Sequence, residues 1–296
     1  MQYNKPSITF EQQAEQLINR GLVADKFQLI ECLKNVSYYR LSGYLYPFKN
    51  PDDTFKIGTN LDIVWRHYTF DRRLRLIVLD AIERVEVSVR TQIIDILSQK
   101  SGAFGYLEPE TFNRMSKVTH EEWLKNIKIE TERSKKREKF AGHFFKNYDG
   151  DFLPFWMAGE IMSFGSVLMM FDGMDFALQK EVARHYGISH VVLRTWMKSL
   201  NFIRNVCAHH SRLWNKELYD RPAIPDHKHN PEWYDPVAIN DNRIFVILTI
   251  SNYFMRIVAP KSKWKTRLID LLNEYPDVSK TVMGFPLNWK NSDLWK

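Results

Sequence analysis

The stretch that decides the fold is Thr59–Gly102, TNLDIVWRHYTFDRRLRLIVLDAIERVEVSVRTQIIDILSQKSG. Leu74, Ile77, Val78, Ala81, Ile82, Val85, Val89, Ile93 and Leu97 recur at steps of three and four, the period of one face of an α-helix. The spacing predicts one helix of about forty residues, or two with a bend, forming a backbone of the core. Thr59, with Asp62 three residues on, reads as its start, and Gly102 as its stop. The opposite face carries Arg72, Arg73, Arg75, Glu83, Arg84, Glu86 and Arg90.

The same period extends to both sides. Thr9 and Gln12 read as a capping box that opens a short helix stopping at Gly21. A second helix starts near Asp25, with Phe27, Ile30 and Leu33 as its apolar stripe. Tyr38–Phe48 is aromatic-rich and reads as a helix end plus a packed loop, and Asn50-Pro51-Asp52-Asp53 is a turn. Residues 113–147 are polar and basic around Lys135-Lys136-Arg137, which fits an exposed helix or mobile insertion. Pro154-Phe155-Trp156 opens an apolar helix that Phe164-Gly165 interrupts, and another runs from about Phe176 to His185. The next is expected from Val191 to about Leu213. Prolines 222, 225, 231 and 236 make Arg221–Pro236 an irregular connection, followed by helices near Asn242–Val258 and Lys261–Leu272. Strands are hard to find anywhere. The reading is all-α.

Composition narrows the class. With 296 residues, 44% of them hydrophobic, and 9 Trp, 19 Phe and 13 Tyr, a sizeable core can form, which excludes disordered and fibrous chains. Gly and Pro, at 12 each, are too few for a turn-rich β fold. Two cysteines, Cys32 and Cys207, build no disulfide framework, so a reducing compartment is expected. Met1–Phe10 shows no apolar leader core, and Ile161–Phe171 and Ile244–Met255 are shorter than the roughly 18 apolar residues of a membrane span. A cytoplasmic location without membrane contact is the expectation. The net charge of +7 hints at a polyanionic partner.

Chemistry concentrates in Asn201–Asn215, NFIRNVCAHHSRLWN. On a helix Asn205 and His209 stand at i and i+4 on one face, and the long Arg204 side chain reaches the same side. An arginine beside a histidine, with no carboxylate cluster, suits a phosphodiester. The guanidinium forks onto non-bridging oxygens and keeps its charge, while the imidazole exchanges protons near neutral pH. RNA carries its own nucleophile, the 2′-hydroxyl, so neither metal nor cofactor is required.

Arg204-Asn205-Val206-Cys207-Ala208-His209 resembles the R-x4-H signature of HEPN ribonucleases. The extended form through Asn215 resembles the hallmark of the Abi family of bacterial abortive-infection proteins, the AbiD/AbiF-like group. Tyr38–Tyr44, Phe70–Arg75, Ile82–Arg90 and Phe155–Gly165 match in order, so the resemblance spans roughly residues 10–260. It implies a HEPN-like helical bundle, with an N-terminal helical region at 1–58, a core at 59–220 with a basic insertion at about 113–147, and a C-terminal part at 221–296. It also implies a homodimer in which two R-x4-H motifs face one another, and metal-free RNA cleavage that leaves a 2′,3′-cyclic phosphate. Arg204 would neutralise the scissile phosphate, His209 would act as acid or base, and Asn205 would orient them. His210, Arg212, Glu86 and Arg90 are supporting candidates.

Further candidates carry two readings each. Lys135, Lys136 and Arg137, and the tail cations Lys261, Lys263 and Lys265 around Trp264, are RNA-contact candidates or solvated faces. Cys207 diverges from His209 on a helix and reads as a buried structural cysteine. His227 and His229 with Asp226 and His185 lack a zinc spacing and read as a polar loop. The leading function is an abortive-infection endoribonuclease. Its rivals are an inactive HEPN module that binds or senses a structured RNA, and a toxin-like protein controlled by a partner protein, antitoxin or small RNA.

Overall fold

The computed structural model describes residues 6–296, so part of Met1–Phe10, read above as lacking a leader, lies outside them. The fold is all-α, and among the described residues β-structure is confined to isolated bridges. The chain packs as two units. None of its described helices is long and apolar enough to cross a membrane.

The first unit holds the described residues up to Leu76 together with Leu268–Ser279. Its first helix, α1 (Phe10–Asn19), opens on the expected capping box, with the Thr9 and Gln12 side chains each bonded to the other's backbone N–H. Asp25 caps α2 (Lys26–Val36), which buries Leu29, Ile30, Leu33 and Val36. Phe27, expected in that stripe, is instead 79% exposed, because Leu29 takes the core-facing seat. Tyr38–Leu45 is a full helix, α3, rather than a helix end and loop, since the Ser37 side chain caps Arg40 N–H and starts a new turn. The Tyr44 hydroxyl donates to Asp71 at 2.6 Å, and Arg75 pairs with the same carboxylate. Asp71 and Arg75 are buried, so Arg75 belongs to the core and not to the polar face assigned above.

The long helix is one element, α4 (Leu61–Ser101), whose residues from Ile77 onward belong to the second unit. Its cap is Asn60, which accepts the Ile63 N–H at 2.9 Å, whereas the Thr59 hydroxyl turns back to the Lys56 carbonyl. Leu74, Val78, Ala81, Ile82, Val85, Val89, Ile93 and Leu97 are fully buried, and each such aliphatic side chain larger than Ala contributes about 1.5–3 kcal/mol.

The second unit holds Ile77–Arg267 and Lys280–Lys296. The basic stretch is not a loose insertion. It forms α5 (Lys117–Arg137) and α6 (Lys139–Asn147), and α5 buries His120, Trp123, Ile127, Thr131 and Ser134 against its surroundings. Next come α7 (Phe155–Ile161), α8 (Phe164–Gly173), with the expected break between them, and α9 (Phe176–His185). The helix α10 (His190–Ala208) packs against α8, α9 and α11 (Ile244–Val258). Eleven of the fifteen residues of α11 are buried, as befits a helix apolar on most of its circumference. Finally α12 (Trp264–Glu274), whose residues from Leu268 onward belong to the first unit, begins with a buried tryptophan whose indole N–H donates to the Ile77 carbonyl at 2.7 Å.

Candidate active site

Ser189 caps α10 by accepting the Val192 N–H, and Leu193, Trp196, Met197, Leu200 and Ile203 fix one face in the core. The opposite side turns Asn205, Ala208 and His209 to solvent, with Arg204 half-buried at its edge. His209 N–H donates to the Asn205 carbonyl at 2.9 Å, so the two residues keep the i, i+4 backbone relation of a helix. The Arg204 guanidinium donates to the Asn205 side-chain oxygen at 3.2 Å. Cys207 points into the core, as expected of a structural cysteine.

The helix stops at Ala208, several residues before the expected Leu213. His210 N–H bonds the Cys207 carbonyl at 3.0 Å and Ser211 N–H bonds the Val206 carbonyl at 2.9 Å, which closes a Schellman turn. His210 occupies its left-handed seat at φ 57°, a place glycine usually takes. Arg212 therefore lies beyond the helix, and Leu213 and Trp214 are buried in the segment that follows.

A cleft of about 600 Å³ adjoins this end of α10, lined among others by Arg204, Glu86, Arg133, Glu160, Ser163 and Ser166. His209 and Asn205 stand outside that lining, at the exposed helix end. Burial pushes the Glu86 carboxyl above the usual carboxylate range. The charges of Arg204 and Arg90 oppose that shift, and Glu83 adds to it. Arg90 is buried rather than on a polar face, and its guanidinium lies 3.7 Å from Glu160. That approach rests on Gly159, where a Cβ would stand 2.0 Å from Ile94 Cδ1, so α7 sits close against α4. The cleft thus sets two arginines among three carboxylates, Glu86, Glu130 and Glu160, each with an arginine as pair or neighbouring charge.

A sequence model described as Abi-like protein matches residues 31–215. The chain belongs to the Abi-like protein family. The match starts within α2 and ends at Asn215, taking in α3 to α10 and both helices that supply Glu86 and Arg204. Family membership suggests a role in abortive-infection defence. No curated protein and no solved structure matches the chain.

Among the sequence-derived candidates of this Abi-like protein, the structure gathers Arg204 and Glu86 at the cleft and places Arg90 beneath it. Lys136 and Arg137 line an open groove along α5, whereas Lys135 pairs with Glu132 and stacks over the Phe145 ring at 4.0 Å. The tail is not a stacking platform, because Trp264 is buried. There Lys261 lines a separate cleft with Arg84, Lys263 is exposed, and Lys265 donates to the Lys296 carbonyl. The polar loop pairs His229 with Asp226, and His227 with Asp235 at 2.9 Å. Arg133, a neighbour of the Lys135-Lys136-Arg137 cluster that the sequence offers for phosphate contact, lines the cleft, as do Glu160, Ser163 and Ser166, which carry no such reading. Glu160 and Ser163 do lie in the quoted Phe155–Gly165 block, which was their one signal.

Proposed function

We propose that this Abi-like protein is a HEPN-type endoribonuclease of anti-phage defence, cutting RNA without a metal ion as a homodimer. The observation that carries this reading is the end of α10. Arg204, Asn205 and His209 share one accessible side there, next to a cleft that already holds Arg204 opposite Glu86.

The chemistry follows from the groups. A base removes the 2′-hydroxyl proton, the 2′-oxygen attacks phosphorus, and the bond to the 5′-oxygen breaks as an acid supplies a proton. The products are a 2′,3′-cyclic phosphate and a 5′-hydroxyl, and no water is consumed. Arg204 balances the charge that grows on the non-bridging oxygens. The R-x4-H motif contributes one histidine per chain, so two protonation roles call for a second copy's His209. Exposed Phe202 and Val87, on the helices that carry Arg204 and Glu86, offer apolar surface that such a copy would cover.

The test is to sequence RNA ends after expressing wild type and His209→Ala in parallel, and to repeat cleavage with purified protein in EDTA. Cyclic-phosphate ends present only with wild type, at a rate unchanged by chelator, are expected. Equal cleavage by His209→Ala would sink the mechanism, and loss of cleavage in EDTA would sink the metal-free scheme. Tight RNA binding without turnover, unchanged by Arg204→Ala or His209→Ala, would instead identify an inactive RNA-binding module.

A further inference from the structure

We propose that one face of α5 is a binding track for single-stranded RNA that delivers the strand to the Arg204 cleft. The proposal rests on the ribonuclease reading of that cleft. Helix α5 is two-sided. Its buried residues, His120, Trp123, Ile127, Thr131 and Ser134, follow steps of three and four and hold one side to the unit. On the other side Lys125, Lys128, Arg133, Lys136 and Arg137 line a single open groove of about 720 Å³, with Ile129 between them. This groove spans about 18 Å of helix, at 1.5 Å per residue.

The charge on this face is available to a polyanion. Lys125, Lys136 and Arg137 are exposed and make no ion pair among the described residues. Lys128 pairs with Asp151 at 2.6 Å and Arg133 pairs with Glu130, but both pairs are exposed, and such pairs yield readily to a phosphate oxygen. The acid on this face, Glu132, is held by Lys135, which lies outside the groove lining. Cations therefore outnumber acids along the groove.

The groove and the cleft also share walls. Arg133 and Ile129 line both. Arg137 and Arg133 line a neighbouring hollow of about 450 Å³ that shares Glu130, Arg133, Glu160 and Ile161 with the cleft. A backbone lying along α5 thus reaches the Arg204 cleft through shared walls, passing Arg133 beside Glu130 and Glu160 on the way. The cleft has the volume of a small-molecule site, so it admits a splayed nucleotide and not a helix, and the strand that feeds it must be unpaired there.

The test uses the purified full-length chain and a fluorescein-labelled, fully 2′-O-methylated single strand of about a dozen nucleotides, which cannot be cleaved. Anisotropy titrations over a salt series compare wild type with Lys125→Ala/Lys136→Ala/Arg137→Ala. The triple variant should bind about tenfold or more weakly at low salt, and its log K against log salt slope should shrink by about 2, at roughly 0.7 per lost phosphate contact. Lysine-to-arginine replacement at 125 and 136 should leave both quantities near wild type, and thermal melting of each variant checks the fold. Unchanged affinity and slope in a folded triple variant would overturn the track. So would duplex RNA or phosphatidylserine vesicles binding as tightly as the single strand and losing as much in the variant. Because the probe cannot be cut, these outcomes are separate from the His209→Ala cleavage test, which bears on the ribonuclease reading alone.

Discussion

At Ala208 the helix that carries Arg204 ends on a histidine in a glycine's seat. His210 holds φ 57° where the Schellman turn demands a left-handed residue, and a side chain pays roughly 1 kcal/mol there. His210→Gly should therefore stabilise the protein by about 1 kcal/mol and raise Tm by a few degrees, while His210→Ala should not. Calorimetry on both variants checks this, and a lower Tm for His210→Gly would mean that contacts of the imidazole outweigh the strain. Glu86 makes a second prediction, about pH. Burial raises its folded-state pKa above the unfolded value near 4.3, despite the opposing charges of Arg204 and Arg90. The native chain thus binds this proton more tightly than the unfolded chain does. The associated stability is fully present below about pH 4 and is lost as pH rises through the raised value. Glu86→Gln removes that loss, so its Tm minus the wild-type Tm should grow as pH is raised from about 4 to about 7. A difference that shrinks instead would show attraction to Arg204 outweighing burial.

Among the elements, the contact between α7 and α4 sets the far wall of the cleft. Gly159 lets the two helices approach, and a methyl there would press into Ile94, which is itself buried. Gly159→Ala should cost about 1–3 kcal/mol in chemical denaturation, and it should separate Glu160 from Arg90. A variant as stable as wild type would show that Ile94 swings aside freely. How far such elements can be read from sequence depends on whether their cues are local. The stripe of α4 announces itself because its core face is built from aliphatic residues at helical spacing. On α5 the core face includes His120, Thr131 and Ser134, so the apolar period fades and the helix looks solvated throughout. The end of α10 is hidden for a different reason. No glycine or proline stands at the stop, and buried Leu213 and Trp214 continue an apparent helical pattern past it. Arg204 and His209 are legible because they lie close together in one segment. The meeting of Arg204 with Arg133 and Glu160 is not, since only tertiary packing brings α5 and α7 to the cleft beside α10.

For the whole molecule, five of the cations behind the charge of +7 gather along one groove of α5, while Trp264 among the tail cations is buried. The remaining question at this scale is how many chains make one site. Under the proposed mechanism one His209 accepts the 2′-hydroxyl proton and the other donates to the leaving oxygen. An isologous dimer places two such residues across its axis, since each protomer offers the same patch to the other. Mixing then becomes diagnostic. If wild type and His209→Ala exchange subunits freely at constant total protein, every mixed pair lacks one proton-transfer group. The initial rate of RNA cleavage should then fall as the square of the wild-type fraction. A protomer that works alone would give a straight line. An Arg204→Ala series should give the same curve if both arginines face the scissile phosphate, and the straight line if each serves only its own chain. A linear His209 series, with subunit exchange verified by mass, would sink the shared site while leaving the role of His209 within one chain to the single-variant assay.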